Sequence, residues 1–139
     1  MSHSAAVLRA SYRACRRISR QARSSFWASF ALLPRHKRPA MHALYAFMRH
    51  TDDLADDPMP HHSRAQALLQ WRAAMERALL GQLDAPGGQV LRPRPDYPQW
   101  GVGRQILPAL GDTVHRFRIP AGYLRMVIDG VEMDFTKRR

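Results

Sequence analysis

"RHTDDLADDP", residues 49–58, changes the character of this chain. Nothing before it is acidic: the first carboxylate is Asp52, and Asp53, Asp56 and Asp57 follow within six positions. The acids close a run in which Met41, Leu44, Tyr45 and Met48 recur three and four residues apart, the period of a helix. That helix spans roughly residues 36–56, with Pro39 tolerated in its first turn and Pro58 and Pro60 ending it. At about 100° per residue, Tyr45, Arg49, Asp52 and Asp56 fall within about 60° of one another. The apolar stripe expected to face the core therefore runs on into two carboxylates one turn apart, with an arginine among them. Burying such carboxylates uncompensated costs several kcal/mol, so the arrangement calls for a partner.

Working outward, every other periodicity is helical too. Residues 5–22 carry Val7, Leu8, Tyr12, Cys15 and Ile18 at three- and four-residue steps, with arginines between them. "FWASFALLP" reads as a short buried helical turn stopped by Pro34. Ser63 can cap a helix with the stripe Leu68, Trp71, Met75 and Leu79, and Gly81 is its C-terminal stop. Residues 84–101 read as loop, because prolines and glycines interrupt any regular element. A shorter helix is expected from Pro108, and a last one from Pro120 with Leu124, Val127, Ile128, Val131 and Phe135 on its stripe. No internal repeat and no strand pairing is visible. The fold class is all-α.

The 139 residues suit a single domain, and 45% hydrophobic content is enough to bury a modest core. No apolar run approaches the roughly 20 residues of a membrane span. Cys15 is the only cysteine, which excludes an intrachain disulfide and fits a reducing compartment. The formal net charge is +11, and apart from Lys37 and Lys137 its cations are arginines, whose planar forks suit phosphate. The first thirty residues have the composition of an organelle transit peptide. They run unbroken into the motif-bearing helix, so a cytoplasmic location, with peripheral contact at the inner membrane face, is the expectation.

Three partners suit the acids. They can solvate a helix end, pairing with Arg49. They can bind calcium, although the central Gly and terminal Glu of a calcium loop are absent. They can hold magnesium, a hard octahedral ion that takes one or two carboxylates and completes its shell with water and phosphate oxygens. With Tyr45 and Arg49 alongside, a magnesium diphosphate fits better than metal alone. The histidine pair in "PHH" at 60–62 points apart and has no third ligand near it in sequence, and "PGG" at 86–88 lacks the Lys-Ser/Thr of a phosphate loop.

"SSFWASFALLPRHKRPAMHALYAFMRHTDDLADDP" resembles the first motif block of the squalene/phytoene synthase family, the head-to-head prenyl diphosphate synthases. "IPAGYLRMVIDGVEMDF" is similar to that family's next helix, with Gly130 before Asp134. The resemblance implies the N-terminal part of the α-helical isoprenoid (terpenoid) synthase fold. It further implies that Asp52, Asp53 and Asp56 bind magnesium, and that Tyr45 and Arg49 act on the substrate diphosphate as catalytic residues with Asp52 and Asp56. Ser24 and Ser25 would meet phosphate at a helix start, and Phe26, Phe30, Val127 and Gly130 would line the prenyl tunnel. Ordinary core packing accounts for those last four equally well. Where the family often has a His or small polar residues, this chain has Ala22 and Arg23.

The family's second aspartate-rich helix and its downstream Tyr-containing segment do not occur here. Residues 1–139 are accordingly expected to be a partial domain, inactive alone, whose complete form joins two prenyl diphosphates head-to-head through a cyclopropylcarbinyl diphosphate. Farnesyl diphosphate and a presqualene or squalene product are favoured over geranylgeranyl diphosphate and phytoene, with NADPH required only if squalene is the product. The alternatives are a basic helical nucleic-acid-binding protein, against which no recognition motif appears, and a non-catalytic helical binding remnant.

Overall fold

The computed structural model describes residues 5–22, 25–56, 61–81 and 100–137, excepting the side chains of 25–27, 61–63, 100–101 and 134–137. Among these are six α-helices: α1 (Ala5–Ala22), α2 (Ser25–Phe30), α3 (Arg38–Asp56), α4 (His61–Leu79), α5 (Trp100–Phe117) and α6 (Ala121–Lys137). A 3-10 turn, Arg35–Lys37, precedes α3. No strand occurs among the described residues, as the helical periodicities require.

Helix α3 is central and packs against α1, α4, α5 and α6. Its buried line is Ala40, Ala43, Phe47, Thr51 and Leu54, with His50 beside it. This corrects the sequence expectation, which turned the Met41, Leu44 and Met48 side toward the core: Met48 is 49% exposed, Met41 is half-buried, and of the three Leu44 alone packs, half-buried, against the core. The small residues decide the rotation. Ala40, Ala43 and Ala46 let neighbouring helices approach closely, which a methionine row would not.

Among the described residues, Trp71 of α4 is the largest fully buried side chain. Its ring stacks on Phe47 at 5.8 Å between centroids and meets His50 edge-on at 4.5 Å. Its indole N–H donates to Thr51 Oγ1 (2.9 Å), whose hydroxyl donates to the Phe47 carbonyl (2.7 Å). The indole thus buries its apolar body without orphaning its donor. Along α4, Leu68, Trp71 and Met75 are buried as their spacing predicts. Gly81, at φ 71°, follows the helix in the conformation glycine adopts most easily. The helix starts at His61, so Ser63 lies inside its first turn rather than at the cap.

The larger correction concerns α5. It begins at Trp100 and carries Pro108 in its interior, whereas the sequence reading started a helix at Pro108 and left 84–101 as loop. Of that stretch, 100 and 101 are helical, and 84–99 lie outside the described residues. An interior proline costs about 3 kcal/mol through its lost hydrogen bond and ring clash. Burial offsets it: Ile106, Leu107, Ala109 and Leu110 are all fully buried. Ser11 of α1 repairs the ladder. Its hydroxyl donates to the Gln105 carbonyl (2.6 Å) and accepts from the Ala109 N–H (2.9 Å), the pair that bond each other in an unbroken helix.

Two glycines on α5 permit close contact. A methyl group at Gly103 would lie 2.8 Å from His50 Nε2 and 2.9 Å from Trp71 Cζ3; one at Gly111 would lie 2.7 Å from the Ala78 carbonyl oxygen of α4. Arg118, at φ 54°, closes α5, and the Ile119 N–H reaches back to the Val114 carbonyl (3.0 Å). Helix α6 buries Leu124, Ile128 and Val131 and is clamped to α4 by ion pairs: Arg125 with Glu76, and Arg72 with Asp129 and Glu132.

Candidate functional site

The rotation of α3 that buries Phe47 and Leu54 puts Tyr45, Arg49, Asp52 and Asp56 on the opposite side of the helix. Asp52, Asp56 and Arg49 are exposed there, Tyr45 and Asp53 half-buried. The predicted residues are therefore brought together, but along an open face instead of a core stripe, and the desolvation anticipated for the carboxylates is not imposed by this chain. Arg49 reaches Asp53 one turn on (Nε to Oδ1, 3.4 Å). Among the described residues no group of three His, Cys, Asp or Glu converges on a metal-sized site.

Tyr45 is held by Phe30, whose ring meets it edge-on at 6.1 Å and meets His42 at 5.4 Å. Phe30 is buried, so the end of α2 is pinned to α3. Ser25 opens α2, and its side chain and that of Phe26 lie outside the described ones, as does Ser24 altogether. The tunnel candidates on α6 separate. Val127 is half-buried and packs against the core, while Gly130 is exposed and a methyl group there would touch nothing within 4 Å.

Sequence reasoning missed the surroundings of Arg49. A cavity of about 350 Å³ opens between α1, α3 and α5, where Arg49, His50 and Asp53 face Arg17 and Gln21 of α1 and Gln105 of α5. Two arginines and two glutamines around one hollow suit an oxyanion, the Asp53 carboxylate on the same wall being paired with Arg49. The signal for Arg17 and Gln21 was their four-residue spacing on α1, lost among its many arginines. Gln105 carried no signal, because it precedes the proline taken as a helix start.

His50 forms an inner wall of this hollow. Burial pushes its imidazole down to about 4, so it is neutral at physiological pH. Cys15 is equally inert: burial pushes its thiol up to about 12.

The donor set fits a hard divalent cation. The Asp52 and Asp56 carboxylates, one turn apart on an exposed helix face, would offer hard oxygen donors suited to magnesium, and among the described residues no soft ligand stands with them.

Comparison with known proteins identifies the family. The profile described as "Squalene/phytoene synthase" matches residues 19–139. The chain is 29% identical over 136 residues to phytoene synthase 3, chloroplastic, of Zea mays, covering 95% of this chain and 26% of that protein. It is 30% identical over 129 residues to phytoene synthase of Arthrospira platensis, with 93% and 36% covered. It is 32% identical over 111 residues to presqualene diphosphate synthase of Rhodopseudomonas palustris, with 80% and 33% covered. The chain thus spans between a quarter and two-fifths of the length of such relatives. No solved structure matches it.

Proposed function

Given that the chain belongs to the squalene/phytoene synthase family, we propose that it supplies the first carboxylate wall of a head-to-head prenyltransferase. The observation that carries this reading is the grouping of Asp52, Asp56, Arg49 and Tyr45 on one open face of α3 beside an arginine- and amide-lined hollow. The substrates are two prenyl diphosphates. Farnesyl diphosphate, giving presqualene diphosphate, is preferred on the motifs "ALYAFMRHTDDLADD" and "GVEMDF"; geranylgeranyl diphosphate, giving phytoene, is the second choice.

Asp52 and Asp56, with Asp53 in support, would hold magnesium, which when bound neutralises charge on the leaving diphosphate. Arg49 orients a diphosphate through its guanidinium fork, with Arg17, Gln21 and Gln105 completing the donor set. Tyr45 offers its hydroxyl beside the same face, and Phe30 fixes the ring. Ser24 and Ser25 would add donors at the start of α2. Phe26, Phe30, Val127 and Gly130 are proposed for the prenyl chain, whose apolar surface needs walls that exclude water from an allylic cation.

The reading is tested by titrating a non-ionising thio-analogue of farnesyl diphosphate into the protein with and without magnesium. Magnesium-dependent binding, lost in Asp52→Asn and in Arg49→Gln, is expected. Binding indifferent to magnesium and to both substitutions would overturn it. Product analysis of the complete enzyme with farnesyl and geranylgeranyl diphosphates decides chain length.

A further inference from the structure

Four arginines that the candidate site does not use gather at a second hollow. It holds about 470 Å³ between the middle of α1, the 3-10 turn and the start of α3. Arg13 and Arg16 enter from α1, Arg35 from the turn and Arg38 from α3, over apolar surface that includes Phe30 and Pro39. Among the described residues, no carboxylate lines it. Arg38 is fixed, donating to the carbonyls of Leu33 and Ala31 at 2.9 Å each. Arg13, Arg16 and Arg35 are exposed.

An adjoining hollow of about 460 Å³ adds Arg9, His36 and Arg116. The one carboxylate among its described lining residues, Asp112, is committed: it accepts from the Tyr12 hydroxyl at 2.5 Å and pairs with Arg116 at 3.5 Å. The first 51 residues contain no acid at all, so local sequence offers these guanidinium groups no counter-charge. The positive potential reaches inward. His42, at the edge of the hollow, has its pKa lowered by burial and then by Arg16. A volume of several hundred Å³, apolar on one side and rimmed by forked cations, has the make-up of a ligand pocket for an anion carrying an apolar part.

We propose that this hollow binds a phosphate-bearing anion, with Arg13, Arg16 and Arg35 on the phosphate and Phe30 and Pro39 against its apolar portion. The site is separate from the carboxylates. On α3, Arg38 and His42 precede Asp52 by fourteen and ten residues, about 21 and 15 Å along the axis. Phe30 is shared with the proposed tunnel; the arginines are not. The phosphate can belong to a free phosphorylated molecule or to a phospholipid headgroup, and the chemistry of recognition is common to both.

Inorganic diphosphate, titrated calorimetrically into the 139-residue chain without magnesium, tests the site. Arg13→Gln/Arg16→Gln should weaken binding at least about tenfold, since each removes a charge-assisted contact. Arg20→Gln/Arg104→Gln removes equal charge from exposed positions outside the hollow and should change it less than about threefold; circular dichroism verifies that both variants fold. Equal losses in the two pairs would reduce the effect to bulk charge and overturn the proposal. So would no measurable binding, or binding abolished by Arg49→Gln alone, which would leave the prenyltransferase reading intact. Flotation with phosphatidylglycerol and phosphatidylcholine vesicles then separates the sources. Capture by the anionic vesicles that Arg13→Gln/Arg16→Gln abolishes assigns the headgroup; diphosphate binding without capture assigns a soluble ligand.

Discussion

At the residue scale, the proposed function has Asp52 and Asp56 serve one ligand. On that proposal, Asp52→Asn in a full-length protein carrying this segment should lower turnover by about 100-fold or more, and adding Asp56→Asn should cost little beyond that, because side chains serving one cluster are not additive. Steady-state kinetics on the single and double variants decides; independent, modest losses would count against shared ligation. His50 gives a prediction readable in the chain alone. Its folded pKa of about 4 lies below the ordinary 6.5. The unfolded chain therefore binds more protons between those values, so stability is full above pH 6.5 and declines as pH falls toward 4. The loss attributable to His50 approaches about 3 kcal/mol. Urea unfolding at pH 7 and pH 4.5 should show the decline. His50→Leu should flatten much of it, leaving the smaller same-signed share of His42.

Among the elements, α5 depends most on a neighbour. Ser11→Ala leaves the Gln105 carbonyl and Ala109 N–H without the hydroxyl that joins them, beside a proline that already interrupts the ladder. A loss of about 1–3 kcal/mol in urea unfolding is expected. Arg118 makes the opposite case. A non-glycine residue at φ 54° carries a steric cost of about 1 kcal/mol, so Arg118→Gly should raise the melting temperature by a few degrees. Where α5 crosses α3 and α4, Gly103→Ala must displace His50 or Trp71 and should destabilise by about 1–3 kcal/mol.

For the molecule as a whole, charge is the dominant feature. Twenty-two lysines and arginines stand against eleven acids. Several of those acids are committed to specific pairs, such as Glu76 with Arg125 and Asp112 with Arg116. Self-repulsion among the remaining arginines is screened by salt. Raising sodium chloride from about 20 to 200 mM, which shortens the Debye length to below about 10 Å, should therefore raise the melting temperature by scanning calorimetry. An anion that fills the arginine-lined hollow should do so at lower concentration than chloride. The exposed large apolar residues Met48, Val102, Tyr123 and Met126 lie outside the core.

The helical class, the C-terminal ends of α3 and α4 and the buried lines of α4 and α6 were legible from sequence alone. Each rests on local physics: a 3.6-residue period, prolines at helix starts and stops, Gly81 at a left-handed turn. The association of Asp52, Asp56, Arg49 and Tyr45 was legible for the same reason, since residues one turn apart share a face wherever the helix packs. Which way that face points was not. Met41, Leu44 and Met48 are more hydrophobic than Ala40, Ala43 and Thr51, yet the alanines are buried because core packing rewards close helix approach and the room it leaves for Phe47 and Trp71. Nor could the sequence place Pro108 inside a helix, because the group that makes it tolerable, the Ser11 hydroxyl, lies nearly a hundred residues away. Both hollows share this origin. Their walls come from α1, the segment before α3, α3 itself and α5, and only packing brings those side chains within reach of one ligand.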